Sequence, residues 1–193
     1  IRSPGVYFDS QLDISGRPLF RASLIPSRGG WLEYETDSEG AIFFRVDTTG
    51  KKVPLTLLLK AVCFDTEDDL IMGFRPYEAV IGRTLKVEGK PYTKEDALLE
   101  LLRRLSPGTP INVDNAIRYI NDIFFDSKRY DLGKVGRYKL NKKFNENVPL
   151  DVRVLRPEDL VNIAYYMTML IDKAEKGEYY GQYIDYIDHL GNR

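Results

Sequence analysis

The densest group of reactive side chains lies between residues 128 and 144. It holds Lys128, Arg129, Lys134, Arg137, Lys139, Lys142 and Lys143, interleaved with Tyr130, Tyr138 and Phe144 and opposed within the stretch only by Asp131. Cations and rings at this density suit a surface that follows phosphates and stacks on bases. A solvated basic face whose rings turn into the core has the same composition. A second cluster, Arg28-Gly29-Gly30-Trp31, sets an arginine and the only tryptophan beside two glycines. A ring on such a loop can meet an unpaired base, although burial is the commoner fate of a lone tryptophan.

Other patterns do not reach chemistry. Polymerase and nuclease sites need carboxylates converging on divalent metal, and the obvious acidic cluster is Glu67-Asp68-Asp69. Following Thr66, it reads instead as the first turn of a helix, where acidic side chains complement the dipole. Gly133-Lys134-Val135-Gly136 lacks the spacing and the Lys-Ser or Lys-Thr ending of a phosphate-binding loop. With His189 as the sole histidine and no Gly-x-Ser-x-Gly, a hydrolase triad has no basis. Cys63 stands alone, which excludes an internal disulfide and a multi-cysteine zinc site and fits a reducing cytoplasm. It reads as a small buried apolar residue. The chain is therefore expected to catalyse nothing alone and to hold no metal or cofactor of its own.

These side chains need a scaffold. At 193 residues and 43% apolar content, the chain suits one domain with a real core. Its 28 basic and 29 acidic residues nearly cancel, so any attraction for a polyanion must be local. No apolar run approaches a membrane span. Ile1-Arg2-Ser3-Pro4 carries neither an initiating Met nor a signal-peptide pattern, and the sequence reads as excised at both ends.

Residues 1–53 read as short strands. Phe20 to Ile25, Trp31 to Glu35 and Ala41 to Val46 are β-prone, and turn residues at Ser15-Gly16, Arg28-Gly29-Gly30, Asp37-Ser38-Glu39-Gly40 and Thr49-Gly50 separate them. Their spacing predicts an antiparallel meander. From Pro54 the period becomes helical, with Leu55, Leu58, Leu59 and Val62 on one face. Thr93 with Asp96 predicts a capped helix ending at Ser106-Pro107-Gly108. Asn112 predicts a second, carrying Ala116, Ile117, Ile120 and Ile123, and the longest runs from near Pro157 to Gly177. Strands first and helices later, without βαβ alternation, predict an α+β domain.

Five stretches now stand out together. Arg2-Ser3-Pro4-Gly5-Val6, Ile25-Pro26-Ser27-Arg28-Gly29-Gly30-Trp31-Leu32-Glu33, Phe124-Phe125-Asp126-Ser127-Lys128-Arg129-Tyr130-Asp131-Leu132, Val135-Gly136-Arg137-Tyr138-Lys139 and Asp188-His189-Leu190-Gly191-Asn192-Arg193 resemble, in order, motifs of the bacterial RNA polymerase β subunit. Residues from about 64 to 95 match less well; many family members carry longer insertions in this lobe, and this chain resembles a compact version. The resemblance implies that residues 1–193 are the lobe (β2) domain of that subunit, with short adjoining stretches at both ends. It implies part of a cytoplasmic DNA-directed RNA polymerase, a nucleotidyltransferase whose magnesium is bound by another subunit, β′. The lobe would flank the downstream DNA channel and help hold the non-template strand of the transcription bubble. The implied partners are that strand, the downstream duplex, the β′, α and ω subunits and sigma factor, with no membrane contact.

Carried over by residue, Trp31 matches the tryptophan that stacks on an unpaired non-template base. Arg2, Asp188 and Arg193 match members of a pocket for the next base, preferentially guanine, with Asp47 near it. An ionised Asp188 would accept from the N1–H and N2–H donors of guanine, whereas adenine lacks that pair. A structural Arg–Asp bridge between the two ends of the chain is the plain alternative. Arg28, Lys128, Arg129, Arg137 and Lys139 are the expected phosphate contacts. The rival reading is a protein-docking module that binds regulators or other subunits and touches DNA little.

Overall fold

The computed structural model describes residues 2–46 and 50–188. Five strands, β1 (Gly5–Leu12), β2 (Pro18–Ile25), β3 (Leu32–Thr36), β4 (Ile42–Val46) and β5 (Val53–Pro54), each pair antiparallel with the next. The expected meander is present, and local chemistry makes its turns. The Asp13 carboxylate accepts from the Ser15 and Arg17 amides at 2.9 Å each, with Gly16 at φ 84. Asp37 does the same for Glu39 and Ala41, with Gly40 at φ 87. A sixth strand, β6 (Tyr186–Asp188), lies parallel to β1 at its outer side and follows from no turn signal in the sequence.

Alternation sends Val6, Phe8, Phe20, Ala22, Leu24, Leu32, Tyr34, Ile42, Phe44 and Val46 to one face of the sheet, where all are buried. Seven helices follow: α1 (Leu55–Val62), α2 (Glu67–Gly73), α3 (Glu78–Glu88), α4 (Lys94–Leu105), α5 (Val113–Ile120), α6 (Gly133–Phe144) and α7 (Pro157–Glu175). Side chains of Thr66, Thr93 and Asn112 accept amides at the starts of α2, α4 and α5. The architecture is α+β.

Two helices depart from the sequence reading. The helix α1 buries every residue from Leu55 to Ala61 rather than one stripe. Its Lys60 ammonium is buried because it donates to Glu67 at 2.8 Å and Glu88 at 2.7 Å. On α5, Ile117 is exposed. The chain widens into one π turn over Asn121–Phe125, which shifts the phase and buries Phe124. The long helix α7 starts at Pro157 as expected, and the Tyr34 hydroxyl donates to Leu160 O at 3.1 Å, joining sheet to helix.

Candidate nucleic-acid interface

The loop between β2 and β3 is short and tied down at Ser27 and Arg28. Ser27 N and Arg28 N both donate to Asp131 O, at 2.8 and 3.0 Å, and Asp131 N returns a bond to Arg28 O at 2.8 Å. A β-carbon on Gly29, at φ 123, would meet Tyr130 Cδ2 at 2.9 Å, so glycine is required there. The Arg28 guanidinium donates to Ser127 O at 2.9 Å. Asp131 is itself fixed, accepting from Gly133 N at 2.7 Å and from Arg153 Nε at 2.8 Å. The Arg153 bond holds its carboxyl below the ordinary range, against the small opposing effect of burial.

Trp31 leaves this loop with its neighbour Leu32 buried and its own side chain 42% exposed. Tyr130 beneath the loop is buried, and desolvation pushes its phenol upward. Trp31 therefore takes the exposed alternative, on a rigid mount.

The second group gathers along β1. The chain bends at Pro4, and the Arg2 guanidinium lies over the Tyr7 ring, 4.9 Å from its centre. Arg2 Nη1 lies 3.8 Å from Asp9 Oδ2, and Arg21 Nη2 approaches the same oxygen at 3.7 Å. Burial tends to raise the Tyr7 phenol, but hydrogen bonds with Ser3 and Lys139 and the charges of Lys139 and Arg2 bring it below its usual value. Burial raises the Asp9 carboxyl, with Arg2 and Arg21 opposing. On the neighbouring strand Asp188 stands in register with Gln11, two positions along from Asp9. The fold thus brings Arg2 and the strand of Asp188 to the same edge of the sheet. Asp47 and Arg193 lie outside the described residues.

The helix α6 supports both groups. A β-carbon on Gly133 would touch Ser27 of the Trp31 loop at 3.5 Å, and one on Gly136 would press Pro4 at 3.3 Å. Lys139 binds Ser3 Oγ and the Tyr7 hydroxyl. The basic stretch is consequently not one surface. Lys128 and Arg129 are exposed, Arg129 with Asp122 and Asp126 at 3.9 and 3.7 Å. Lys139 is engaged at the bend of the N-terminal segment. Arg137 corrects the expectation of a phosphate contact: it is 0% exposed, bonded to both Asp159 oxygens at 2.9 and 3.0 Å and to Val152 O and Val154 O. A guanidinium that is buried, with four of its five N–H donors bonded inside the fold, has no exposed donor to offer a phosphate.

The sequence reading missed Tyr7 and Asp9. The signal was present as an acidic residue in an alternating run, opposite Arg21 once the Ser15-Gly16 turn sets the register. Glu67-Asp68-Asp69 forms the first turn of α2, which Thr66 caps, with Glu67 bound to Lys60. Among the described residues no three His, Cys, Asp or Glu side chains are placed to hold a metal, and no helix is long and apolar enough to cross a membrane.

Comparison with known proteins agrees with the motif order. The family model described as RNA polymerase Rpb2, domain 2 matches residues 2–193. The whole chain is 44% identical to a stretch of the DNA-directed RNA polymerase subunit beta of Gloeobacter violaceus, 45% to that of Guillardia theta and 42% to that of Syntrophomonas wolfei. It spans 16%, 17% and 16% of those relatives, respectively.

Proposed function

From the premise that this chain belongs to the RNA polymerase Rpb2 domain 2 family, as a domain of an RNA polymerase β subunit, we propose that it contacts the non-template strand within a DNA-directed RNA polymerase. The observation that carries the reading is Trp31, exposed on a loop that four bonds, three with the Asp131 backbone and one with Ser127 O, would hold still during binding. A ring carried on a loop that is already held loses less entropy on stacking, so more of the contact energy is available to the base. Arg2 and Asp188, with Arg193 and Asp47 from the resemblance, supply a pocket for the following base, guanine by preference. Arg28, Lys128 and Arg129 contact phosphate. RNA synthesis, with its magnesium on another subunit, and assembly with β′, α, ω and sigma factor beside the downstream duplex belong to the same proposal.

The test is Trp31→Ala in the assembled enzyme. Open-complex retention is expected to weaken by about 1–3 kcal/mol, the worth of one base–aromatic stack. An unchanged lifetime in a correctly folded variant would exclude stacking and favour a docking surface that does not touch DNA.

A further inference from the structure

We infer that Asp9 is a positioning residue for base selection, holding the Arg2 guanidinium in the orientation that reads guanine; this rests on the pocket reading above. Asp9 sits in the middle of β1, alternating with the core residue Phe8, and is 8% exposed. A carboxylate so placed needs partners. Its Oδ2 has two, Arg2 and Arg21, and its Oδ1 has no hydrogen bond among the described residues. The two arginines are not equivalent. Arg21 is held by its own strand, in register between Asp9 and Glu35. Arg2 precedes β1 and belongs to no strand; its head is located by the Tyr7 ring beneath it and by Asp9 at one edge.

A guanidinium presents a rigid fork of donors. With one face on a ring and one edge toward a carboxylate, the remaining edge of Arg2, whose side chain is 42% exposed, points one way instead of sweeping solvent. Acceptors such as guanine O6 and N7 demand that fixed direction, whereas adenine puts an amino donor where guanine has O6. The same strand places Asp188, because Gln11 pairs with it two residues beyond Asp9. β1 thereby pairs with the strand that carries Asp188, while its Asp9 side chain faces Arg2.

The experiment uses assembled polymerase on two templates that differ only by guanine or adenine at the non-template position read by the pocket, with the ratio of open-complex lifetimes as the readout. Asp9→Asn keeps the shape and removes the charge, and is expected to reduce the ratio about twofold to fivefold, the effect of one lost ion pair of a partly exposed arginine. Asp9→Glu restores most of it. Asp9→Asn combined with Arg2→Ala falls no further than Arg2→Ala alone, and the loss of retention caused by Trp31→Ala is the same in the Asp9→Asn background. A parental ratio in Asp9→Asn, where Arg2→Ala has lost it, overturns the inference and leaves the pocket standing. A parental ratio in Arg2→Ala overturns both. Should Asp9→Asn fail to assemble, Asp9→Ser removes the same carboxylate and is expected to give the same loss; a parental ratio there overturns the inference equally.

Discussion

Trp31 is the sole tryptophan of the chain, so its emission reports the loop that carries it. That loop hangs on Asp131, whose carboxyl is held below its usual range chiefly by Arg153 and by Gly133 N. A depressed folded-state value means the contribution of Asp131 is present above the ordinary carboxylate range and is lost as pH falls through the lowered value. Trp31 emission is therefore expected to hold steady from neutrality down to about pH 4 and to shift only below it. Arg153→Ala should move that shift upward in a fluorescence titration, and an unmoved midpoint would show that Arg153 does not anchor the loop. The residue types at this site were legible because glycines beside tryptophan constrain a loop locally. Tyr7 and Asp9 were not, since their partners Arg2 and Arg21 reach them through a chain bend and a strand register.

At the scale of elements, α6 shows why composition misleads. Its cations look alike in sequence, yet Arg137 lies inside, on the same inward side as Gly136 and Leu140, while Tyr138 lies exposed. Breaking a buried pair leaves an unpaired charge, so Arg137→Ala is expected to lower unfolding free energy by about 3–5 kcal/mol in urea titrations. A loss below about 1 kcal/mol would mean the site is wet enough to screen Asp159. Caps were readable, because Thr66, Thr93 and Asn112 act on amides three residues ahead. The burial of Phe124 was not, because a π turn after α5 changes the phase without a distinctive residue pattern.

For the whole molecule, the sheet and helices share one hydrophobic core that extends from Val6 to Ile171. The Trp31 loop is bonded to residues that precede α6, and Tyr34 is bonded to α7, so no unit can leave without exposing the others. Thermal unfolding followed by Trp31 emission and by far-ultraviolet circular dichroism is expected to give one midpoint. Separate midpoints would divide the sheet from the helical part.

What the sequence by itself determined is what short-range physics controls: the turns at Asp13 and Asp37, the alternation of β2 to β4, the helix starts, and the order of motifs that marks the family. The tertiary structure alone decided which cations remain at the surface, that β6 joins β1 in parallel, and that Arg2 meets Asp9. Each of those depends on groups far apart along the chain, and their pairing is fixed by strand register and by the competition of every buried side chain for one core, which no local pattern records.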